Sequence, residues 1–204
     1  MLARIAFFAT KQEVETFFGI TAESEQLFEP HYNITTGYHI PVVSKENNEI
    51  GITRIRWGSK NGDSTADLET SSELLTKGAI PCAIPLSGFY VWKDNREKDH
   101  PFFVRMLNGP LMVTPGLIFE DDQRFIKFII SDANVLVQPM SEKMPLILDR
   151  DTALRWIDDG ARNIELLTSS VNRVLLTDLS VMRVSKKVND PKYNDPKLIQ
   201  PIPK

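Results

Sequence analysis

Cys82-Ala83-Ile84-Pro85-Leu86-Ser87-Gly88-Phe89-Tyr90-Val91-Trp92-Lys93 lies near the middle of a 204-residue chain, and its second half decides the fold class. Phe89 to Lys93 is aromatic and β-branched, follows a glycine, and reads as a strand. Similar runs recur on both sides: His39 to Val43, Gly51 to Trp57, Phe102 to Val104, Leu111 to Val113 and Arg124 to Ser131. Most are rich in Ile, Val, Phe or Trp and are bounded by Gly, Pro, Asn or Asp, as strands are. Helices are fewer. Ile5 to Ala9 reads as a strand, after which Thr10 and Glu13 stand three apart as a capping box. The helix that follows carries Val14, Phe17 and Phe18 on one face and can end at Gly19. Thr21 to Pro30 reads as an acidic loop. Asp151 is placed to cap a second helix with Leu154, Trp156 and Ile157 as its apolar positions. Asn189 to Lys204 holds four of the 13 prolines and reads as an extended tail. There are no internal repeats and no low-complexity segments. The pattern predicts an α+β chain: a β-rich, twisted or barrel-like antiparallel sheet with peripheral helices.

Composition narrows the function classes. At 42% hydrophobic residues, 204 residues can bury one substantial core, so residues 1–204 are expected to form a single domain. No run approaches the ~18 apolar residues of a membrane span. Met1-Leu2-Ala3-Arg4 does not open a secretory signal. Cys82 is the only cysteine, which excludes an internal disulfide and a cysteine-based zinc site. These features favour the cytoplasm. The net charge of -3 argues against a globally basic nucleic-acid binder but leaves room for a local basic groove. His31, His39 and His100 lack zinc-motif spacing, and no Gly-x-Ser-x-Gly or phosphate-binding glycine loop is present, so neither a metal nor a cofactor is expected. The acidic pairs Asp121-Asp122 and Asp158-Asp159 and the basic pair Lys186-Lys187 read as solvated charge.

Several segments are ordinary singly and distinctive in series. Glu29-Pro30-His31-Tyr32-Asn33-Ile34 precedes Pro41-Val42-Val43. Arg56-Trp57-Gly58, Ala66-Asp67-Leu68-Glu69-Thr70 and the Cys82–Lys93 stretch follow. Then come Pro101-Phe102-Phe103, Ser131-Asp132-Ala133-Asn134, Met144-Pro145-Leu146-Ile147-Leu148 and Val184-Ser185-Lys186-Lys187-Val188-Asn189. In this order the chain resembles the SOS response-associated peptidase (SRAP) family along almost its whole length. The resemblance implies binding of single-stranded DNA and capture of abasic sites. In the family, a cysteine at residue 2 is exposed by removal of the initiator methionine. Its amine and thiol close a thiazolidine ring on the ring-opened sugar aldehyde, surrounded by an asparagine, a glutamate and a histidine. The same cysteine is implicated in removing residues that precede it.

The reactive set is missing here. Leu2 stands where the cysteine belongs and has no thiol; it also disfavours removal of Met1. Val91 takes the glutamate's place, Thr65 the asparagine's and Ser141 the histidine's, while Asp67 occupies an arginine slot. None of the first four offers a group that titrates near neutral pH. Cys82 has no free α-amine and reads as a small buried hydrophobe. The expected catalytic set is therefore empty. Arg4, Tyr32, Asn33, Trp57 and Trp92 match family positions whose neighbourhoods line the nucleic-acid groove, and are the candidates for DNA contact through base stacking and phosphate pairing. The competing reading is core packing for the tryptophans, carboxylate pairing for Arg4 and Arg56, and turn shaping for Tyr32 and Asn33. Three functions follow: a non-catalytic single-stranded DNA binder, a protein-interaction or regulatory module with no nucleic-acid role, or an enzyme with a new site in the old pocket. No protein partner can be named and no membrane partner is expected.

Overall fold

The structure, a computed structural model, describes residues 2–93, 100–159, 164–169 and 176–202. Met1 and the last two residues of the expected tail lie outside them. In chain order the elements are β1 (Ile5–Phe7), α1 (Lys11–Phe18), β2 (His31–Ile34), β3 (His39–Glu46), β4 (Glu49–Trp57), β5 (Thr65–Asp67), α2 (Leu68–Thr76), β6 (Ile80–Leu86), β7 (Gly88–Trp92), β8 (Pro101–Met106), β9 (Met112–Glu120), β10 (Arg124–Asp132), β11 (Lys143–Pro145), α3 (Arg150–Asp159), α4 (Glu165–Thr168) and β12 (Leu179–Arg183). The α+β, β-rich expectation holds. Among the described residues no helix is long and apolar enough to cross a membrane.

One sheet closes on itself. β10, β4, β3, β6 and β9 follow one another by hydrogen bonding, and β9 pairs back onto β10. Closure is possible because β10 is long enough for two partners on each side. Its first half pairs with β4 and β9, its second half with β5 and β11. The β4 and β5 pairings are parallel, so the sheet is not wholly antiparallel as expected. The β3–β4 hairpin turns on Asn47 and Asn48 at φ 48° and 69°, left-handed values that asparagine tolerates in a tight two-residue turn. Ile40, Val42, Ile55, Trp57, Ile84, Leu117, Ile126 and Phe128 are buried together, and Trp57 meets Phe128 edge-on at 5.2 Å. α3 covers β6, which explains why β6 is buried at nearly every position; the Trp156 indole donates to the Cys82 carbonyl at 3.0 Å.

The other sheet runs β12-β8-β7-β1-β2, and strand alternation divides its residues between two cores. Phe89, Val91, Ile5, Phe7 and Val104 join the main core. Tyr90, Trp92, Ala6 and Phe103 face the other way, where Val184, Val188 and Leu198 cover them. Gly88 lets β8 pass close to the start of β7: a Cβ there would lie 2.4 Å from Phe103 and from the Val104 carbonyl.

Several local expectations need correction. The capping box is present, with the Glu13 amide donating to Thr10 at 3.2 Å, and Gly19 ends α1 in the left-handed region. The second helix is capped by Asp149, whose carboxylate accepts from the Thr152 amide at 2.8 Å, while Asp151 sits inside the first turn. Tyr32 and Asn33 lie in a strand, not a turn. The loop at 21–30 contains a short 3-10 turn, Glu25–Phe28. The C-terminal segment docks through 3-10 turns at Lys186–Asn189 and Pro196–Ile199, with Val188 and Leu198 buried.

Candidate functional site

A cleft of about 370 Å³ opens between the edge of β7 and the connection from β10 to β11. Leu2 enters it from ahead of β1, a segment held by the Tyr90 amide donating to the Arg4 carbonyl at 3.0 Å. Val91 and Trp92 enter from β7, and Ser141 from the connection. Asn134 shapes that connection: its side-chain oxygen accepts from the Leu136 and Val137 amides, both at 3.1 Å, which starts the turn that delivers Ser141. The structure thus brings Leu2, Val91 and Ser141 to one cleft. Thr65 does not line it; it lies on β5 opposite Phe128.

The wall formed by Leu2, Val91 and Ser141 carries two apolar side chains and one hydroxyl. Leu2 and Val91 are buried against the main core. The Ser141 hydroxyl donates to the Lys143 carbonyl at 2.6 Å. Cys82 is fully buried elsewhere, and burial pushes its thiol pKa up, away from the thiolate that a nucleophile needs. Among the described residues no cluster of His, Cys, Asp and Glu is arranged to hold a metal.

The rim carries charges that the motif reading passed over. Lys143 bridges Asp132 at 3.0 Å and Asp67 at 3.2 Å, and these two hydrogen bonds, Asp132 first, hold its pKa above the ordinary lysine value. Asp67 stands beside the cleft because it pairs in register with Ile130, which lines it. Lys93 and Glu142 also line the cleft, so among the described residues, with Asp67 and Asp132 counted through their bridges to Lys143, two cations meet three carboxylates at this rim. The signal was in the sequence, since Lys143 directly precedes Met144-Pro145 and Asp132 follows Ser131, but nothing local joins them.

The nucleic-acid candidates separate into two groups. Trp57 is fully buried in the closed sheet and its indole donates to the Ser64 carbonyl at 3.1 Å, so a base cannot stack on it without opening the core. Arg4, Asn33, Tyr32 and Trp92 gather around the docked C-terminal segment. The Arg4 guanidinium donates to Asn33 and to the Asn189 carbonyl, both at 2.9 Å; burial lowers its pKa, against the pull of Asp190. The Asn33 amide donates to the carbonyls of Val188, Asp190 and Tyr193 at 3.3, 2.8 and 2.9 Å. Tyr32 stacks on Phe8, and its carbonyl accepts from the Tyr90 hydroxyl at 2.6 Å. The Trp92 indole donates to Asn189 at 2.9 Å. Of the five, Trp92 lines the cleft. The carboxylate-pairing reading of Arg56 also fails in its detail: that guanidinium donates to the Gly37 carbonyl at 3.1 Å.

Known proteins resemble this chain in sequence and in fold. The abasic site processing protein YoqW of Bacillus subtilis (strain 168) is 26% identical over 197 residues, covering 85% of this chain and 87% of that protein. YoaM, an abasic site processing protein of the same organism, is 23% identical over 194 residues, covering 84% and 85%. A crystal structure of a protein from Bacteroides thetaiotaomicron superposes with a TM-score of 0.77 at 14% identity, covering 98% of this chain and 99% of that one. A phage-related protein of Bordetella bronchiseptica does so with a TM-score of 0.70 at 20% identity, covering 90% and 94%. The profile of the SOS response associated peptidase (SRAP) family matches residues 66–191, more than half of the sequence. The chain belongs to the SRAP family.

Proposed function

We propose that this chain binds single-stranded DNA at abasic sites without forming a covalent link to them. Family membership and abasic-site-processing relatives support a role in DNA damage. The observation that carries the non-covalent reading is that Leu2, Val91 and Ser141 share one cleft, and none of these three side chains carries a thiol or a group that titrates near neutral pH. A thiazolidine needs an amine and a thiol on adjacent carbons, and leucine supplies no thiol. What the cleft does offer is an apolar wall from Leu2 and Val91, the Trp92 edge, and room for a sugar from which the base has been lost.

Fluorescence anisotropy with a labelled single strand, intact or carrying one abasic site, tests this at low and moderate salt. Binding should weaken with salt, with a log–log slope of about -0.7 per phosphate contact, and should favour the abasic strand. A denaturing gel after incubation should show no adduct that survives heating. Absence of binding at low salt and micromolar protein refutes the DNA reading; a heat-stable adduct refutes the non-covalent one.

The second reading is a protein-interaction module, and one observation favours it. Lys143 is held by two carboxylates, so the cleft rim lacks the excess positive charge that a DNA backbone seeks. Failure to bind any single strand would leave this reading standing.

A further inference from the structure

We propose that a second surface, on the outer face of the closed sheet at Arg54 and Arg56, grips the phosphodiester backbone of a single strand; this rests on the DNA reading above. Two adjoining hollows of about 480 and 280 Å³ share Arg56 and Gln123. Alternation along β4 creates the face: Ile55 and Trp57 are buried, which turns Arg54 and Arg56 outward. His39 stands opposite Arg56 on β3, and Phe125 lies beside it on β10.

Not every charge around these hollows is available. Arg124 pairs with Glu46 and Glu120, and Lys60 pairs with Asp122. Arg54 and Arg56 differ. Among the described residues neither takes part in an ion pair, and each is oriented by a backbone carbonyl. Arg54 donates to Gln26 at 2.5 Å and Arg56 to Gly37 at 3.1 Å. The Arg56 Nε is buried with no hydrogen-bond partner. A guanidinium carries five N–H donors, so both retain most of their capacity while already positioned. Two residues apart on one strand, they stand about 7 Å apart along it. That is of the order of the spacing between neighbouring phosphates in an extended single strand.

The larger hollow has no carboxylate among its lining residues; the smaller one is lined by Asp121 and by Asp122, which pairs with Lys60. A chain with a net charge of -3 thus keeps uncommitted cations on this face. β10 joins the two places. Phe125 borders the smaller hollow and Ile130 lines the cleft, five residues on, or about 17 Å along the strand; the odd separation sets them on opposite faces of β10, so a strand that fills both places has to cross from one face of the sheet to the other. The lesion would occupy the cleft while flanking phosphates meet Arg54 and Arg56.

The test is anisotropy with a labelled oligothymidine, comparing wild type with R54Q and R54Q/R56Q across a salt series. Loss of two phosphate contacts should make the log–log salt slope shallower by about 1.4, and loss of one by about 0.7. Affinity of the double variant at low salt should fall on the order of tenfold. A methylphosphonate strand, which carries no backbone charge, should bind wild type and R54Q/R56Q alike. Because Arg54 is exposed, R54Q alone carries the test if the double variant does not fold. Unchanged slope and affinity in R54Q, with wild type binding normally, overturn the groove and leave the cleft reading intact. A wild-type protein that binds no single strand overturns both.

Discussion

Asn33→Ala tests the account of how the C-terminal segment is held. Asn33 is fully buried, accepts from Arg4 and donates to three carbonyls of the segment 188–193. Truncation leaves one charged donor and the Val188 carbonyl without partners in a buried environment, while the part-buried Asp190 and Tyr193 carbonyls lose the same donor. Unsatisfied buried groups cost about 1–3 kcal/mol each, and removing one partner of a buried charged network costs about 3–5 kcal/mol, so about 3–5 kcal/mol is expected. For a chain of this length, that corresponds to a fall in Tm of roughly 10 °C. The loss should begin locally. Ordering the segment costs about 1–2 kcal/mol per residue in backbone entropy, and its apolar anchors are Val188 and Leu198. Without the amide, residues 188–199 should lose hydrogen-exchange protection before the barrel does.

The assay is thermal denaturation followed by circular dichroism, with hydrogen exchange read by mass spectrometry. Asn33→Asp separates the parts, because a carboxylate can still accept from Arg4 but cannot donate to the carbonyls. It should expose the segment as Asn33→Ala does. A Tm within about 2 °C of wild type, or unchanged protection of residues 188–199 in both variants, would refute the reasoning.

Three further outcomes are expected. Leu2→Cys with Met1 removed restores the adjacent amine and thiol, and should form a heat-stable adduct with abasic single-stranded DNA where wild type forms none; no adduct would mean that the cleft no longer presents the aldehyde to residue 2. Burial holds the His31 pKa below its ordinary 6.5, and its Nδ1 accepts from the Asn33 amide, so protonation opposes folding. Stability from this site is full above that value and is lost as pH falls through the folded-state pKa; urea midpoints at pH about 7.5 and about 5 should fall more for wild type than for His31→Gln, and equal falls would contradict it. Buried Cys82, its thiol pKa raised, should resist thiol reagents in the native state and react once denaturant is added, so rapid native labelling would count against its placement.

Local chemistry was legible in the sequence and long-range chemistry was not. The Thr10–Glu13 box involves groups three residues apart, so its motif carries its own geometry. β3 and β4 announce themselves through β-branched alternation. β6 does not, because Pro81 and Pro85 read as breakers; it tolerates them because β3 pairs only with Cys82 and Ala83, the two residues after Pro81. The docked C-terminal segment depends on Arg4 and Asn33, more than 150 residues away, and its prolines pointed to a tail. At the site, Leu2, Val91 and Ser141 were linked through family resemblance and not through spacing, and Thr65 proved to lie off the wall. The burial of Trp57 could have been read from β4 itself, where Ile55 and Trp57 alternate with Arg54 and Arg56.

Asp67 changes meaning once the rim is seen. Read alone, it is an anion where the family has an arginine, and it repels phosphate. In place, it also draws Lys143 into a bridge with Asp132, so a second cation is withdrawn from the cleft. An arginine at 67 would give three rim cations against two carboxylates; the aspartate gives two against three, a swing of two charges at one position. A cleft altered in this way has little electrostatic hold on a backbone, and its apolar Leu2–Val91 wall gains nothing from a charged strand. If the chain binds DNA as proposed, selectivity has to come from shape, admitting a sugar without its base, while affinity for phosphate has to come from elsewhere. The guanidiniums of Arg54 and Arg56, without an ion pair among the described residues, are the source of that charge in the proposal above. Separating the two tasks makes salt dependence and lesion preference independent: charge substitutions on β4 should move the first and leave the second with the cleft.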